Sequence, residues 1–150
     1  MNKGNVIFRC DGSARIGLGH LVRCLALADG LRREGFSKIT FLTKDYDKLI
    51  LDKIRGHNFL VEALPYQAYL DEDLKRIIGM VRENDRTVVV TDSYAIDTGY
   101  LEELKNAKAF LICIDDLAQI HFASDIVLNQ NIYALEMKYS VEAQTKLLLG

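Results

Sequence analysis

Residues 5–34 read NVIFRCDGSARIGLGHLVRCLALADGLRRE, and this stretch decides the fold. Its first six residues are mostly apolar and predict a β-strand, whereas residues 20–34 place Leu21, Leu25 and Ala28 on one face of a helix. Between them lies a loop containing three glycines. A strand that passes through a glycine-containing loop into a helix is the opening unit of an α/β protein with a parallel sheet.

The alternation of strand and helix patterns continues along the chain. Further strands are predicted at residues 38–43, 59–64, 87–91, 109–114 and 125–128, and further helices at residues 47–55, 71–81 and 100–107. Gly35 is expected to end the first helix, and Asp71 and Asp97 are expected to cap the two later ones. Several of these strands lack polar alternation, which is typical of parallel strands covered on both faces. We therefore predict a Rossmann-like, doubly wound parallel sheet that forms a single domain over residues 1–150.

Composition narrows the possible partners. The net charge is −2 and the pI is about 5.9, so no nucleic-acid partner is indicated. No apolar run reaches the roughly 18 residues that a membrane span needs, and the first residues lack a signal-peptide pattern, so we predict a cytoplasmic protein without a membrane partner. The three cysteines are an odd number and form no CxxC pair, which favours reduced thiols over disulfides or zinc.

The glycine-containing loop supplies the candidate catalytic residue. His20 follows Gly17 and Gly19 and is expected at the first position of the helix, where unpaired N–H groups and the helix dipole meet. That field disfavours imidazolium and would keep the ring neutral, ready to accept a proton. Asp11 and Gly12 open the same loop, and we expect Asp11, Gly12, Gly17 and Gly19 to contact the substrate there. Asp11 either accepts an N–H from His20 and fixes its tautomer, or forms an Asx turn.

Other charged residues are expected at the same edge of the sheet, because ligands of such sheets bind at the carboxyl ends of the strands. Arg23 lies one helical turn after His20 and either pairs with Asp11 or Asp92 or contacts substrate. Asp115 and Asp116 are adjacent and point in different directions. We therefore expect them to hold their loop rather than bind a cation, and we predict no metal site.

Polar and aromatic residues follow two further strands. Tyr94 comes directly after the fourth strand and is suited to stacking on or hydrogen-bonding a sugar. Asn129 and Asn131 follow the sixth strand and are suited to holding neighbouring loops or binding sugar hydroxyls. His121 is interpreted as an exposed histidine in a polar connection.

No cofactor is predicted. The glycine pattern lacks the third glycine of a dinucleotide fingerprint, since Val22 stands there, and no Gly-Lys-Ser/Thr of a phosphate-binding loop is present.

Taken in order, these motifs resemble the UDP-sugar hydrolases of the pseudaminic acid pathway, and spore-coat polysaccharide biosynthesis proteins share much of the pattern. The motifs are Phe8-Arg9-x-Asp11-Gly12, Gly17-x-Gly19-His20-x-x-Arg23, Asp92-Ser93-Tyr94-x-Ile96-Asp97, Ile114-Asp115-Asp116 and Leu128-Asn129-Gln130-Asn131. The resemblance extends over nearly the whole chain, and the hydrolases are related in fold to the MurG-type GT-B glycosyltransferases.

The resemblance implies a specific activity. The chain would be the N-terminal, sugar-side half of a GT-B fold, with a C-terminal domain that holds most of the UDP. His20 would be the base that activates water for attack on the anomeric carbon of a UDP-linked diacetamido-trideoxy sugar, and Tyr94 would line the sugar pocket. No metal is needed. The apolar residues 146–150 are consistent with an edge strand or with a chain that is half of a two-domain protein.

Two other functions fit the same residues. In a GT-B glycosyltransferase, His20 would deprotonate an acceptor hydroxyl instead of water. In a non-catalytic half-domain, the same pocket would bind a partner or a nucleotide sugar without turnover.

Overall fold

Strand β1 (Asn5–Cys10) is an interior strand of a seven-stranded sheet in the computed structural model, which describes residues 3–11, 18–44, 47–65 and 70–150. The strand order is β3-β2-β1-β4-β5-β7-β9, and every pairing in this sheet is parallel. The other strands of the chain are β2 (Lys38–Thr43), β3 (Leu60–Ala63), β4 (Thr87–Asp92), β5 (Phe110–Ile114), β6 (His121–Phe122), β7 (Ile126–Asn129), β8 (Ser140–Val141) and β9 (Lys146–Leu149).

Within the described residues, four helices cover the two faces of the sheet: α1 (Gly19–Arg33), α2 (Lys48–Gly56), α3 (Leu70–Arg82) and α4 (Thr98–Asn106). Buried side chains of α1 and α2 pack on one face, where Phe8 and Phe41 stack with their ring centroids 4.7 Å apart. Side chains of α3 and α4, among them Ile77 and Leu104, pack on the other face. The predicted α/β, Rossmann-like doubly wound class is confirmed.

The arrangement of β1 and β4 creates a crevice at the carboxyl edge of the sheet. From β1 the chain moves outward to β2 and β3, and it then returns to place β4 on the opposite side of β1. Cys10 pairs with Asp92, so the two strands end level with each other. A change in winding direction of this kind leaves a gap between the loops that follow the two strands, and ligands of doubly wound proteins bind there.

Local signals at the helix ends act largely as expected. Gly35 has φ +100°, a conformation that favours glycine, and it ends α1 with the backbone bond from its N–H to the Arg32 carbonyl. The Asp97 carboxylate accepts a hydrogen bond from the Tyr100 N–H and caps α4. The expected cap at Asp71 is wrong, because α3 begins one residue earlier and Asp71 lies inside its first turn.

The second half of the chain differs from the sequence prediction in its short elements. Strands β6 and β8 form a separate parallel pair, and a 3₁₀ turn covers Ala134–Glu136. His121 therefore lies in a strand rather than in a connection, and it contacts Ser140 and Glu142. Two-residue strands carry too little periodicity to be recognised in a sequence. No described helix has the length and apolarity to cross a membrane.

Burial at the α4 face predicts a difference between two leucine substitutions. Leu104 is fully buried, whereas Leu49 on α2 is 65% exposed. Leu104→Ala should reduce the free energy of unfolding by about 2–5 kcal/mol, because it removes buried methyl groups and leaves a cavity. Leu49→Ala should change it by less than about 0.5 kcal/mol. Urea denaturation measures both, and equal losses would contradict this assignment of the core.

Candidate functional site

His20 is the second residue of α1 and lies beside the crevice between β1 and β4. The helix begins at Gly19, one residue before the predicted start, and a Cβ atom at Gly19 would meet no atom within 4 Å. The His20 residue is 7% exposed, so only the edge of its ring reaches solvent. It lines a cavity of about 320 Å³ together with Asp11, Asp92, Ser93, Tyr94 and Ala95.

The carboxylate that contacts His20 belongs to Asp92, the last residue of β4. His20 Nδ1 lies 2.5 Å from Asp92 Oδ1, and Asp92 is 1% exposed. Because the Asp92 carboxylate accepts, Nδ1 carries a proton, and in the neutral ring Nε2 is then the nitrogen with a free lone pair. Nε2 has no hydrogen-bond partner in the part of the chain that the structure describes. A neutral ring held by a buried carboxylate has the form of a general base with its orienting group.

The expectation that Asp11 fixes the His20 tautomer is wrong, and strand geometry explains why. Side chains alternate between the two faces of a strand, and Asp92 projects toward α1, as Val90 does. Asp11 instead accepts hydrogen bonds from Arg9 Nη1 at 2.7 Å and from Ser93 Oγ at 2.7 Å. Burial alone would raise the pKa of Asp11, but the charge and hydrogen bond of Arg9, together with the other donors, bring it below its ordinary value of 3.8.

A buried ionic group that the sequence analysis missed, Arg9 with Asp73, holds Asp11 from the α3 side of the sheet. Arg9 is fully buried, and its Nε donates to Asp73 Oδ2 at 2.7 Å. Tyr100 donates to the other oxygen of Asp73 at 2.6 Å. Burial lowers the pKa of Arg9, but the charges of Asp11 and Asp73 outweigh that effect and raise it above its ordinary value. An arginine inside an otherwise apolar strand was the available signal for a buried ion pair.

Arg23 lies between two carboxylates at the same edge. Its Nε and Nη2 donate to the two oxygens of Asp92, both at 2.6 Å, and its Nη1 donates to Asp116 Oδ2 at 3.2 Å. Of the two pairings left open by the sequence, the structure contains the one with Asp92 and not the one with Asp11. The prediction that Arg23 contacts substrate stays a prediction.

Tyr94 covers the outer side of His20. The two rings meet edge to face, with centroids 4.7 Å apart and planes at 81°. The Tyr94 hydroxyl donates to Asp116 Oδ1 at 2.9 Å, and the residue is 56% exposed. Partial burial and the neighbouring Asp116 carboxylate raise the pKa of Tyr94, so the phenol stays protonated at neutral pH. An exposed aromatic face beside the cavity is available to a ligand.

Asn129 and Asn131 do not line the His20 cavity. Asn129 is the last residue of β7 and Asn131 follows that strand, which is separated from β4 by β5. Asn129 is fully buried; its amide donates to the Tyr139 hydroxyl at 2.9 Å, and its carbonyl accepts from the Asn131 N–H at 3.0 Å. Asn131 in turn donates to the Tyr133 hydroxyl. Of the two roles that the sequence left open, the contacts in the structure are those of loop holding.

Two other groups of predicted residues complete the comparison. Asp115 Oδ2 accepts hydrogen bonds from the Leu117 and Ala118 N–H groups, which confirms that this residue holds its own loop. Gly12 and Gly17, predicted to bind substrate, lie outside the described residues.

Comparisons with known proteins point to sugar nucleotides. No family model matches the chain. The chain is 29% identical over 138 residues to the UDP-2,4-diacetamido-2,4,6-trideoxy-beta-L-altropyranose hydrolase of Campylobacter jejuni, a match that covers 89% of this chain and 44% of that protein. It is 28% identical over 106 residues to an uncharacterized protein of Methanocaldococcus jannaschii, covering 71% of this chain and 20% of that protein. The chain thus spans less than half the length of these curated relatives.

The contacts of Asp11 predict an acid-dependent stability. Because the pKa of Asp11 is lower in the folded protein than in the unfolded chain, its stabilising effect is complete above the ordinary value of 3.8 and is lost as the pH falls through the folded pKa. Asp11→Asn should lower the free energy of unfolding at pH 7 by about 1.5–3 kcal/mol and flatten its decrease toward pH 3.

Urea denaturation at a series of pH values measures this effect, with Asp85→Asn at an exposed loop position as the matched control. The control should follow the wild-type profile. An Asp11→Asn profile parallel to the wild type would show that Asp11 contributes nothing to the acid dependence.

Proposed function

We propose that this chain carries the catalytic base of a UDP-sugar hydrolase. The observation that carries the proposal is the His20–Asp92 pair, which leaves Nε2 without a described partner at the cavity between β1 and β4. The similarity to a UDP-sugar hydrolase supports the substrate class, since the aligned region covers 89% of this chain. Hydrolysis needs a base that activates water and a surface that binds the sugar. The cavity contains His20 for the first role and Tyr94 for the second.

The proposed reaction is a single displacement. His20 Nε2 takes a proton from a water molecule while the water oxygen forms a bond to the anomeric carbon. The bond between that carbon and the UDP oxygen breaks, and UDP leaves with the electron pair. The diphosphate is a good leaving group, so the mechanism needs no acid of the kind used by ordinary glycosidases. The Asp92 carboxylate keeps its hydrogen bond to Nδ1–H, so the ring stays oriented as the proton reaches Nε2.

Tyr94 is proposed to line the sugar subsite. Its ring borders the cavity and contacts the edge of His20, so a sugar packed on its exposed face would lie close to the base. The hydrogen bond from its hydroxyl to Asp116 holds the ring in this orientation. Asp11 is proposed to act indirectly. Its hydrogen bonds with Arg9 and Ser93 tie the end of β1 to the residues after β4, and it does not bind the sugar itself.

The nucleotide is proposed to be held mainly outside these residues. The chain spans 44% of the hydrolase that it resembles, and the cavity of about 320 Å³ is of a size for one sugar rather than a whole nucleotide sugar. We propose that these residues form the N-terminal, sugar-side half of a two-domain GT-B-like enzyme and that a C-terminal domain binds UDP. The enzyme would act in the cytoplasm, in the pseudaminic acid pathway or another route to surface polysaccharides.

The base assignment predicts a large loss of activity in one histidine variant. His20→Ala and the closer mimic His20→Gln in the natural full-length protein should release UDP roughly 10²–10⁴-fold more slowly from the UDP-linked diacetamido-trideoxy sugar, because the base is lost. Binding of the same UDP-sugar should remain. His57→Ala is the matched control, because His57 contacts Asp29 at the α1–α2 side of the molecule.

Two outcomes would contradict the proposal. Near-normal UDP release by both His20 variants would show that His20 is not the catalytic base. Transfer of the sugar to an added acceptor, rather than release of free sugar in amounts equal to UDP, would indicate the glycosyltransferase reaction instead.

A further inference from the structure

Arg23 directs its donors at the carboxylate that holds His20. Its Nε and Nη2 form a fork on the two oxygens of Asp92, and its side chain is 17% exposed. Nη2 also lies 3.0 Å from His20 Nδ1, because both nitrogens direct a hydrogen at the same Asp92 oxygen. The hydrogen bonds that Arg23 donates to Asp92 raise the pKa of Arg23 above its ordinary value, so the guanidinium stays charged.

The Asp92 carboxylate is thus surrounded by donors. One oxygen accepts from His20 and Arg23, and the other accepts from Arg23 and from the Cys24 thiol, whose Sγ lies 3.5 Å away. A buried carboxylate without a counter-charge stabilises a neighbouring imidazolium. Here the counter-charge is already supplied by Arg23, so the imidazole ring faces a neutral ion pair.

We propose that Arg23 is a positioning residue that neutralises Asp92 and so keeps His20 an uncharged base, rather than a residue that binds substrate. This inference rests on the proposed role of His20 in water activation. Arg23 is fixed by its bonds to Asp92 and Asp116, and these engage each of its three nitrogens. A substrate anion would have to compete with both carboxylates for the same guanidinium.

In the part of the chain that the structure describes, charged and titratable groups reach the ring from several elements. Helix α1 contributes Arg23 and Cys24, and β4 contributes Asp92. The loop after β4 contributes Tyr94, the loop after β5 contributes Asp116, and Asp11 faces the same cavity from the end of β1. Asp11 and Asp116 have their own donors in Arg9 and in Arg23 with Tyr94. Arg23 is therefore the cation among these groups whose loss leaves Asp92 unpaired.

Nitrogen-15 NMR of the histidine rings in the 150-residue chain tests the proposal, because ring nitrogen shifts report protonation without any turnover. The His20 signals are assigned by their loss in His20→Gln. In Arg23→Met, the His20 ring should bind its proton roughly 10- to 100-fold more tightly than in wild type, so the imidazolium persists to higher pH. Arg23→Lys restores the charge and should return the affinity to within roughly threefold. Arg33→Met, at the exposed end of α1, is the control and should match wild type.

Asp116→Asn keeps the test decisive if Arg23→Met does not fold. Asp116 forms an ion pair with the same guanidinium and is only partly buried. Removing the negative charge of Asp116 leaves Asp92 as the carboxylate that the Arg23 guanidinium neutralises. His20 should then bind its proton roughly two- to fivefold more weakly than wild type, while Asp85→Asn should have no effect. An unchanged His20 titration in the folded variants, or changes of the opposite sign, would overturn the proposal. Loss of hydrolase activity cannot produce either result, so this outcome is separate from a failure of the proposed function.

Discussion

The candidate site depends on one buried carboxylate, that of Asp92 at the carboxyl end of β4. Parallel pairing with β1 sets Asp92 level with Cys10, and the alternation of side chains turns it toward the start of α1. A carboxylate that is 1% exposed is costly unless it is paired and hydrogen-bonded. His20, Arg23 and Cys24 on the first turns of α1 supply these bonds, and the same bonds fix the orientation of the imidazole.

The opposite face of the sheet carries a second ionic group with a different task. Arg9 joins Asp73 of α3 to Asp11, and Asp11 also accepts from Ser93 in the loop after β4. These bonds connect the ends of β1 and β4 on the face of the sheet that α3 and α4 cover. The edge of the sheet is therefore held on both faces, and the cavity beside His20 is lined by Asp11 and by the residues that end and follow β4. An imidazole held rigidly beside a cavity suits the proton transfer from water that we propose.

The sequence predicted what depends on neighbours along the chain. The strand, loop and helix of residues 5–34, the cap at Asp97 and the doubly wound class all follow from local pattern and periodicity. The partner of His20 could not be predicted in this way. Asp92 is 72 residues away, and the contact depends on the strand order and on the face of the sheet toward which each side chain points. Asn129 shows the same limit. The sequence placed it just after a strand, whereas it is the last residue of β7, and its hydrogen bond to Tyr139 reaches an irregular segment that has no periodicity to detect.

The central claim is that His20 Nε2 faces a water poised to attack an anomeric carbon. A crystal structure of the full-length protein with a non-hydrolysable UDP-sugar analogue measures this most directly. The account predicts a water within hydrogen-bond distance of Nε2 and about 3–3.5 Å from the anomeric carbon, with Asp92 on Nδ1. A sugar bound away from the crevice between β1 and β4, or a His20 ring whose Nε2 is turned from the anomeric carbon, would contradict it.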